Sequence, residues 1–240
     1  MRRSVVLGWV SMWLLAQTGL AAAAEPHRVP DTLAERVQAC TACHGKEGRA
    51  TATGYFPRIA GKPAGYLYQQ LRHFRDGRRH NVTMNHLVGQ LSDAYLQEIA
   101  QHFASLDLPY PAPARAEGTP AQQALAEALV QQGDARRELP ACTACHGAAM
   151  TGRAPAVPGL LGLPRDYLIA QLGAWQTGQR QAAAPDCMAQ VARRLSAQEV
   201  QAVAGWLAAQ PVPAQPQPQP LPSTPPPVLL TCGSLAGAQP

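Results

Sequence analysis

Cys40, Cys43 and His44 stand in the hexapeptide Cys-Thr-Ala-Cys-His-Gly, and the same six residues recur from Cys142 to Gly147, 102 positions later. Two thiols three positions apart, with a histidine directly after them, form the attachment signature of a c-type haem. Each cysteine makes a thioether with one vinyl group of the porphyrin, and the histidine becomes an axial ligand of the iron. One match in 240 residues is compatible with a redox dithiol or with chance; two identical hexapeptides are not. The chain is expected to carry two covalently bound haem c groups, held by Cys40, Cys43, Cys142 and Cys145, with His44 and His146 on the irons.

The second axial position separates a carrier from an enzyme. Of five methionines, Met1 and Met12 lie at the extreme N-terminus. Met84 lies seven residues before Leu91-Ser92, and Met188 seven before Leu195-Ser196. An isolated buried methionine usually fills a core, and Met150, which has no counterpart, is read that way. The shared placement of Met84 and Met188 points instead to thioether ligands on the face of the iron opposite histidine. His80 and His86 flank Met84, so bis-histidine ligation of the first iron stays open; no histidine follows His146. His27, His73 and His102 lack repeat equivalents and read as surface residues. Pro57 and Pro158, about a dozen residues beyond their histidines, are placed to offer carbonyls to the imidazole N–H groups.

The elements that position these residues also come in pairs. Pro57-Arg-Ile-Ala-Gly61 aligns with Pro158-Gly-Leu-Leu-Gly162, and the segment opening at Pro63 with that opening at Pro164. Each of the latter predicts a helix started by proline and stopped by glycine, Gly77 or Gly178, with Phe74 and Trp175 at matching places. A last amphipathic helix follows in each half, with Ser92 and Ser196 as N-caps supported by Gln or Glu in the first turn. Its apolar stripe is Leu96, Ile99, Ala100 and Phe103 in one half, and Val200, Val203, Ala204 and Leu207 in the other. Helices are also expected near Asp31–Cys40 and Pro120–Gln132. Strand signals are weak, so the fold class is all-α, with loops wrapped around haem; the covalent cofactor supplies part of each small core.

Met1–Ala24 reads as a secretory signal, with Arg2 and Arg3, an apolar Val5–Leu15 and small residues up to Ala24. Export to the periplasm agrees with the cysteine chemistry. No other run reaches the roughly 18 apolar residues of a membrane span, and at most peripheral membrane association is expected. The formal charge of +5 falls to +3 without Arg2 and Arg3, and each ferric haem with ionised propionates brings about −1. Nucleic-acid binding therefore has no support. Arg72, Arg75, Arg78 and Arg79 gather with His73 and His80, relieved only by Asp76. This cluster reads as a solvated helix end, or as a docking patch for an acidic redox partner or a propionate clamp. The domains are expected at 25–108 and 121–210, joined by a linker at 109–120. The tail 211–240, with nine prolines between Pro211 and Pro227, reads as an extended polyproline segment and not a packed element.

On these motifs each half resembles a class I cytochrome c domain wrapping one covalent haem, and the tandem resembles the dihaem cytochromes c4. The shared pattern covers about Asp31–Gln210. The resemblance implies two haem lobes packed face to face with propionates near their interface. It implies a periplasmic carrier of single electrons, not an enzyme, feeding a terminal oxidase of the cbb type. A quinol–cytochrome c reductase or a dehydrogenase is the expected donor. Two alternatives are a cytochrome subunit of a periplasmic dehydrogenase complex, and a haem enzyme with an open iron site. Two features depart from the pattern: the loop to Met188 is three residues longer than the loop to Met84, counted from Gly178 and Gly77, and the proline-rich tail is extra. Cys187 and Cys232 remain after haem attachment, and in an oxidising compartment two leftover thiols tend to pair. A Cys187–Cys232 disulfide would pin the tail beside Met188.

Overall fold

The computed structural model describes residues 31–51, 53–221 and 230–236. The secretory segment read at Met1–Ala24, His27 and part of the proline-rich tail lie outside the described residues. Within 31–240 the regular structure is almost entirely helical. The first half contributes α1 (Leu33–Arg36), α2 (Gln38–His44), α3 (Ala64–Arg75), α4 (Val82–Val88) and α5 (Asp93–Ala104). The second contributes α6 (Pro120–Gln131), α7 (Cys142–His146), α8 (Arg165–Thr177), α9 (Cys187–Arg193) and α10 (Ala197–Ala209). Between α7 and α8 a small antiparallel ribbon pairs β1 (Gly152–Arg153) with β2 (Val157–Pro158). A last turn, α11 (Gly233–Ala236), lies in the tail.

The helix ends follow the local chemistry. Pro63 and Pro164 precede the first turns of α3 and α8, where a missing N–H costs nothing. Gly178 stops α8 in the left-handed conformation at φ 79°, a geometry glycine adopts without steric penalty. Ser196 opens α10 with a full capping box to Glu199. Ser92 accepts the Tyr95 N–H at 3.3 Å, but the third helical residue there is Tyr95, so the reciprocal half expected of a Gln or Glu does not form.

Two cores result. Leu67, Phe74, Val88, Leu96, Ile99 and Phe103 close one, where α3 packs on α5. Leu129, Val130, Leu163, Leu168, Val203 and Leu207 close the other, where α10 packs on α6 and α8. The stripes predicted for α5 and α10 are the buried faces, and Met150 lies in the second core, 3 % exposed. The halves meet through backbone. The His80 N–H donates to the Gln179 carbonyl at 2.9 Å, and the Gln181 N–H to the Arg78 carbonyl at 2.7 Å. Arg79 thereby pairs antiparallel with Arg180, and equivalent residues face each other across a local twofold.

The tail is extended as expected, yet it packs. Its first part runs beside 107–113, where the Gln217 amide donates to Asp107 at 3.1 Å. It then lies along β1: the Gln219 N–H donates to Gly152 at 3.1 Å and the Ala154 N–H to Gln219 at 2.7 Å. Its far end returns to the longer methionine loop. Cys187 and Cys232 form a disulfide with Cα atoms 5.1 Å apart, and the Gly233 N–H donates to Pro185 at 2.9 Å. A side chain at Gly233 would collide with the Ala184 carbonyl, so loop and tail fit only with glycine here. The Gln69 amide of α3 donates to Ser234 at 2.6 Å, which ties the pinned end to the first half as well.

The disulfide spans 45 residues, and closing a loop of that order restricts the unfolded chain by about 2–4 kcal/mol. Replacing both cysteines by serine is expected to lower unfolding stability by about that amount, measured by denaturant titration of the oxidised proteins. Equal stability of the two proteins contradicts the constraint.

Candidate haem-binding sites and the surface between them

α2 and α7 each end on the histidine of the Cys-x-x-Cys-His motif. The neighbouring loop folds back to hold it. The His44 Nδ1–H donates to the Pro57 carbonyl at 2.9 Å, and the His146 Nδ1–H to the Pro158 carbonyl at 2.8 Å. A carbonyl only accepts, so each ring is fixed as the tautomer whose Nε2 lone pair is free for a metal. Gly45 makes the return possible: at φ 77° it brings the Ala50 N–H to the His44 carbonyl at 2.7 Å, and a Cβ there would strike the Ala50 carbonyl. Burial lowers the pKa of both histidines, opposed by their proline carbonyls and reinforced by Arg79 at His44 and Lys62 at His146. Both imidazoles are therefore neutral, as ligands must be.

The thiols fit a thioether better than a thiolate. Burial pushes Cys142 up to about 11 and raises Cys40 and Cys145. Thiolate metal sites instead hold cysteines low with nearby cations. Among the described residues no group of three or more His, Cys, Asp or Glu side chains gathers around a bare ion. A porphyrin fits on a further count: the buried indole N–H of Trp175 lacks a partner among the described residues, while the Arg180 guanidinium stacks 3.8 Å over its ring. A donor beside a cation is a place for a carboxylate such as a propionate.

Met84 and Met188 sit in the first turns of α4 and α9, both half-buried. Asn81 anchors the first by accepting the Met84 N–H at 3.0 Å. Asp186 anchors the second, accepting the Ala189 N–H at 3.0 Å and the Ala182 N–H at 2.7 Å. His80 and His86 are exposed, which favours Met84 over either of them.

The surface between the halves is built from residues 101 positions apart. Arg79 donates to Gln70 at 3.0 Å, to Tyr167 at 3.0 Å and to Gln171 at 2.6 Å. Arg180 donates to Gln171 at 3.0 Å, to Gln70 at 2.8 Å and to Tyr66 at 3.3 Å. Both are buried, 8 % and 5 % exposed, and every one of these partners is neutral. Burial would raise the Tyr167 phenol, but the charges on Arg79 and Arg180 outweigh it and lower its pKa. Two buried cations held by hydroxyls and amides, with no carboxylate partner among the described residues, make a surface that suits an anion such as a haem propionate.

This corrects two sequence expectations. His73 is not a surface residue but is buried, 7 % exposed, because it faces the second half. The basic cluster is a solvated helix end only in part: Arg75 pairs with Asp76 at 3.0 Å and Asp93 at 2.6 Å on the outside, while Arg79 turns inward. Tyr66, Gln70, Tyr167 and Gln171 belong to the repeated Tyr-Leu-x-x-Gln-Leu segment, but the sequence assigns them no role, and Arg180 stands out only through the 101-residue offset from Arg79.

A search of protein-family profiles finds no match. Individual proteins do match. The chain is 39 % identical over 176 residues to a thiosulfate dehydrogenase electron acceptor of Thiomonas intermedia, covering 72 % of this chain and 79 % of that protein. It is 33 % identical over 197 residues to cytochrome c4 of Pseudomonas aeruginosa, covering 80 % and 92 %. Among solved structures it superposes on a thiosulfate dehydrogenase of Marichromatium purpuratum with a TM-score of 0.63 and 34 % identity, covering 73 % of this chain and 37 % of that one.

Buried His73 lies among Arg78, Arg180, Arg79 and Arg72, and burial first, then these charges, bring it down to about 4 from an ordinary 6.5. Between those values the unfolded chain binds the proton that the folded chain refuses, so stability is lost as pH falls from about 6.5 towards 4. Denaturation midpoints measured across that window are expected to fall, and His73→Gln to flatten the fall. Parallel profiles for the two proteins contradict the assignment.

Proposed function

The chain belongs to the cytochrome c4 family, all-α proteins of two tandem class I cytochrome c domains with two covalently bound haem c groups, and on that premise we propose that this electron-transfer protein is the periplasmic acceptor for a thiosulfate dehydrogenase. The observation that supports the reading is the duplicated arrangement: in each half an imidazole is fixed by a proline carbonyl, and a capped helix carries one half-buried methionine. Each haem, when bound, supplies an iron that gains and loses one electron between its ferric and ferrous forms.

The chain's residues then have these roles. Cys40, Cys43, Cys142 and Cys145 hold the porphyrins, and His44 and His146 bind the irons through Nε2. Met84 and Met188 would offer thioether sulfurs to the same irons, and such ligation would raise the potential and deny a substrate the metal. Pro57 and Pro158 orient the imidazoles, and second-shell partners of this kind commonly matter nearly as much as the ligands. Arg79 and Arg180, with the two tyrosines and glutamines between them, hold both haem lobes in one body and neutralise the propionates. A relative named for accepting electrons from thiosulfate dehydrogenase, 39 % identical, supports that enzyme as the donor. Onward transfer goes to a terminal acceptor such as a cbb-type oxidase. A free shuttle fed by a quinol–cytochrome c reductase is the second reading, favoured by the 92 % of the Pseudomonas cytochrome c4 that the chain spans.

Mixing the oxidised holoprotein with thiosulfate and a purified thiosulfate dehydrogenase is expected to reduce both haems within the enzyme's turnover time, followed by absorbance. Reduction by thiosulfate alone contradicts the carrier reading, and no reduction with the enzyme present contradicts this donor. Met84→Ala and Met188→Ala are each expected to remove half of the far-red sulfur-to-iron band of the oxidised protein.

A further inference from the structure

Lys62 is the first half's counterpart of Leu163, a core residue of the second half. It is 4 % exposed. Its side chain crosses into the second half, where Nζ donates to the Gly159 carbonyl at 2.9 Å. Gly159 directly follows Pro158, whose carbonyl holds His146. A cation is thus placed one peptide unit behind the proximal imidazole of the second haem site, and it acts electrostatically on that ring.

The charged and titratable groups around Lys62 do not cancel it. From its own loop comes Arg58, another cation, whose guanidinium bonds to the Ala60, Pro109 and Leu108 carbonyls and stacks 3.9 Å over Tyr110. From the linker comes the Tyr110 ring, 5.9 Å from Nζ. From α7 comes His146, which is neutral. Burial of an ion without a counter-charge is costly, and the backbone carbonyl of Gly159 returns only part of that cost. The hydrophobic Leu163 at the equivalent position is the structurally cheaper solution.

We propose that Lys62 raises the reduction potential of the second haem. This rests on His146 as that haem's proximal ligand. The step is a one-electron uptake by the second iron, from ferric to ferrous, with the electron delivered by the partner dehydrogenase or through the first haem. No bond is made or broken. Lys62 favours the product because its positive charge opposes the more positive, oxidised state through a poorly screening interior. Burial, then Arg58, bring its pKa down to about 7. Near that pKa the side chain therefore also takes up a fraction of a proton from water as the electron arrives.

A spectroelectrochemical titration of the holoprotein, followed by paramagnetic NMR so that each haem's methyl signals are read separately, tests this. Lys62→Met is expected to weaken reduction of the second haem about tenfold, which is about 59 mV for a one-electron couple, and to leave the first unchanged. Lys62→Arg, which keeps the charge, is expected to stay near the wild type. In the wild type the second potential is expected to fall as pH rises from about 6 to about 9, spanning the range where the lowered lysine loses its charge, while Lys62→Met stays flat. Lack of any shift in Lys62→Met, or an equal shift of both haems, overturns the proposal. If Lys62→Met does not accumulate, a second wild-type potential that does not change with pH overturns it alone. Failure of the haem reading has a different signature, a wild-type protein without two low-spin haem spectra.

Discussion

Two guanidinium groups buried against each other, with no carboxylate beside them among the described residues, govern this structure. Arg79 and Arg180 are held by two tyrosines and two glutamines, and each carries a full charge into a site where unpaired ions are costly. Such a surface suits anions, and the propionates of two haems are anions of that kind. Joining of the halves and loading of the cofactor are thus one electrostatic problem. The twofold arrangement solves it economically, because each arginine shares its acceptors with its mate.

The departures from twofold symmetry all fall on the second half. The longer methionine loop and the proline-rich tail, separate oddities along the chain, form one construction: the loop receives Gly233, and Cys187 locks Cys232 beside Met188. The tail also adds an edge to β1, near the His146 loop, while Gln69 and Lys62 reach across from the first half. His146 and Met188 are therefore braced by groups from outside their own core. Rigidly held side chains lower the reorganisation that accompanies electron transfer at a group they bind.

Much of this was legible in the residues. The doubled Cys-Thr-Ala-Cys-His-Gly names the cofactor because thioether geometry tolerates almost no other spacing. The apolar stripes of α5 and α10, the serine caps and the proline carbonyls behind the histidines depend on contacts within about a dozen residues, and local contacts leave local patterns. The surface reading of His73 and the solvated reading of Arg79 fail for the opposite reason. A cationic run at a helix end is ordinarily solvated, and nothing within that segment tells that a second half lies against it.

The sequence by itself determined the helical class and the two haem c groups, since each follows from short-range spacing and obligatory chemistry. Only the tertiary structure decided which polar residues face each other between the halves and that Lys62 lies behind His146. Those relations join positions about a hundred residues apart, as Lys62 does Gly159. Their energies come from burial and charge at a surface that exists only once both halves have folded.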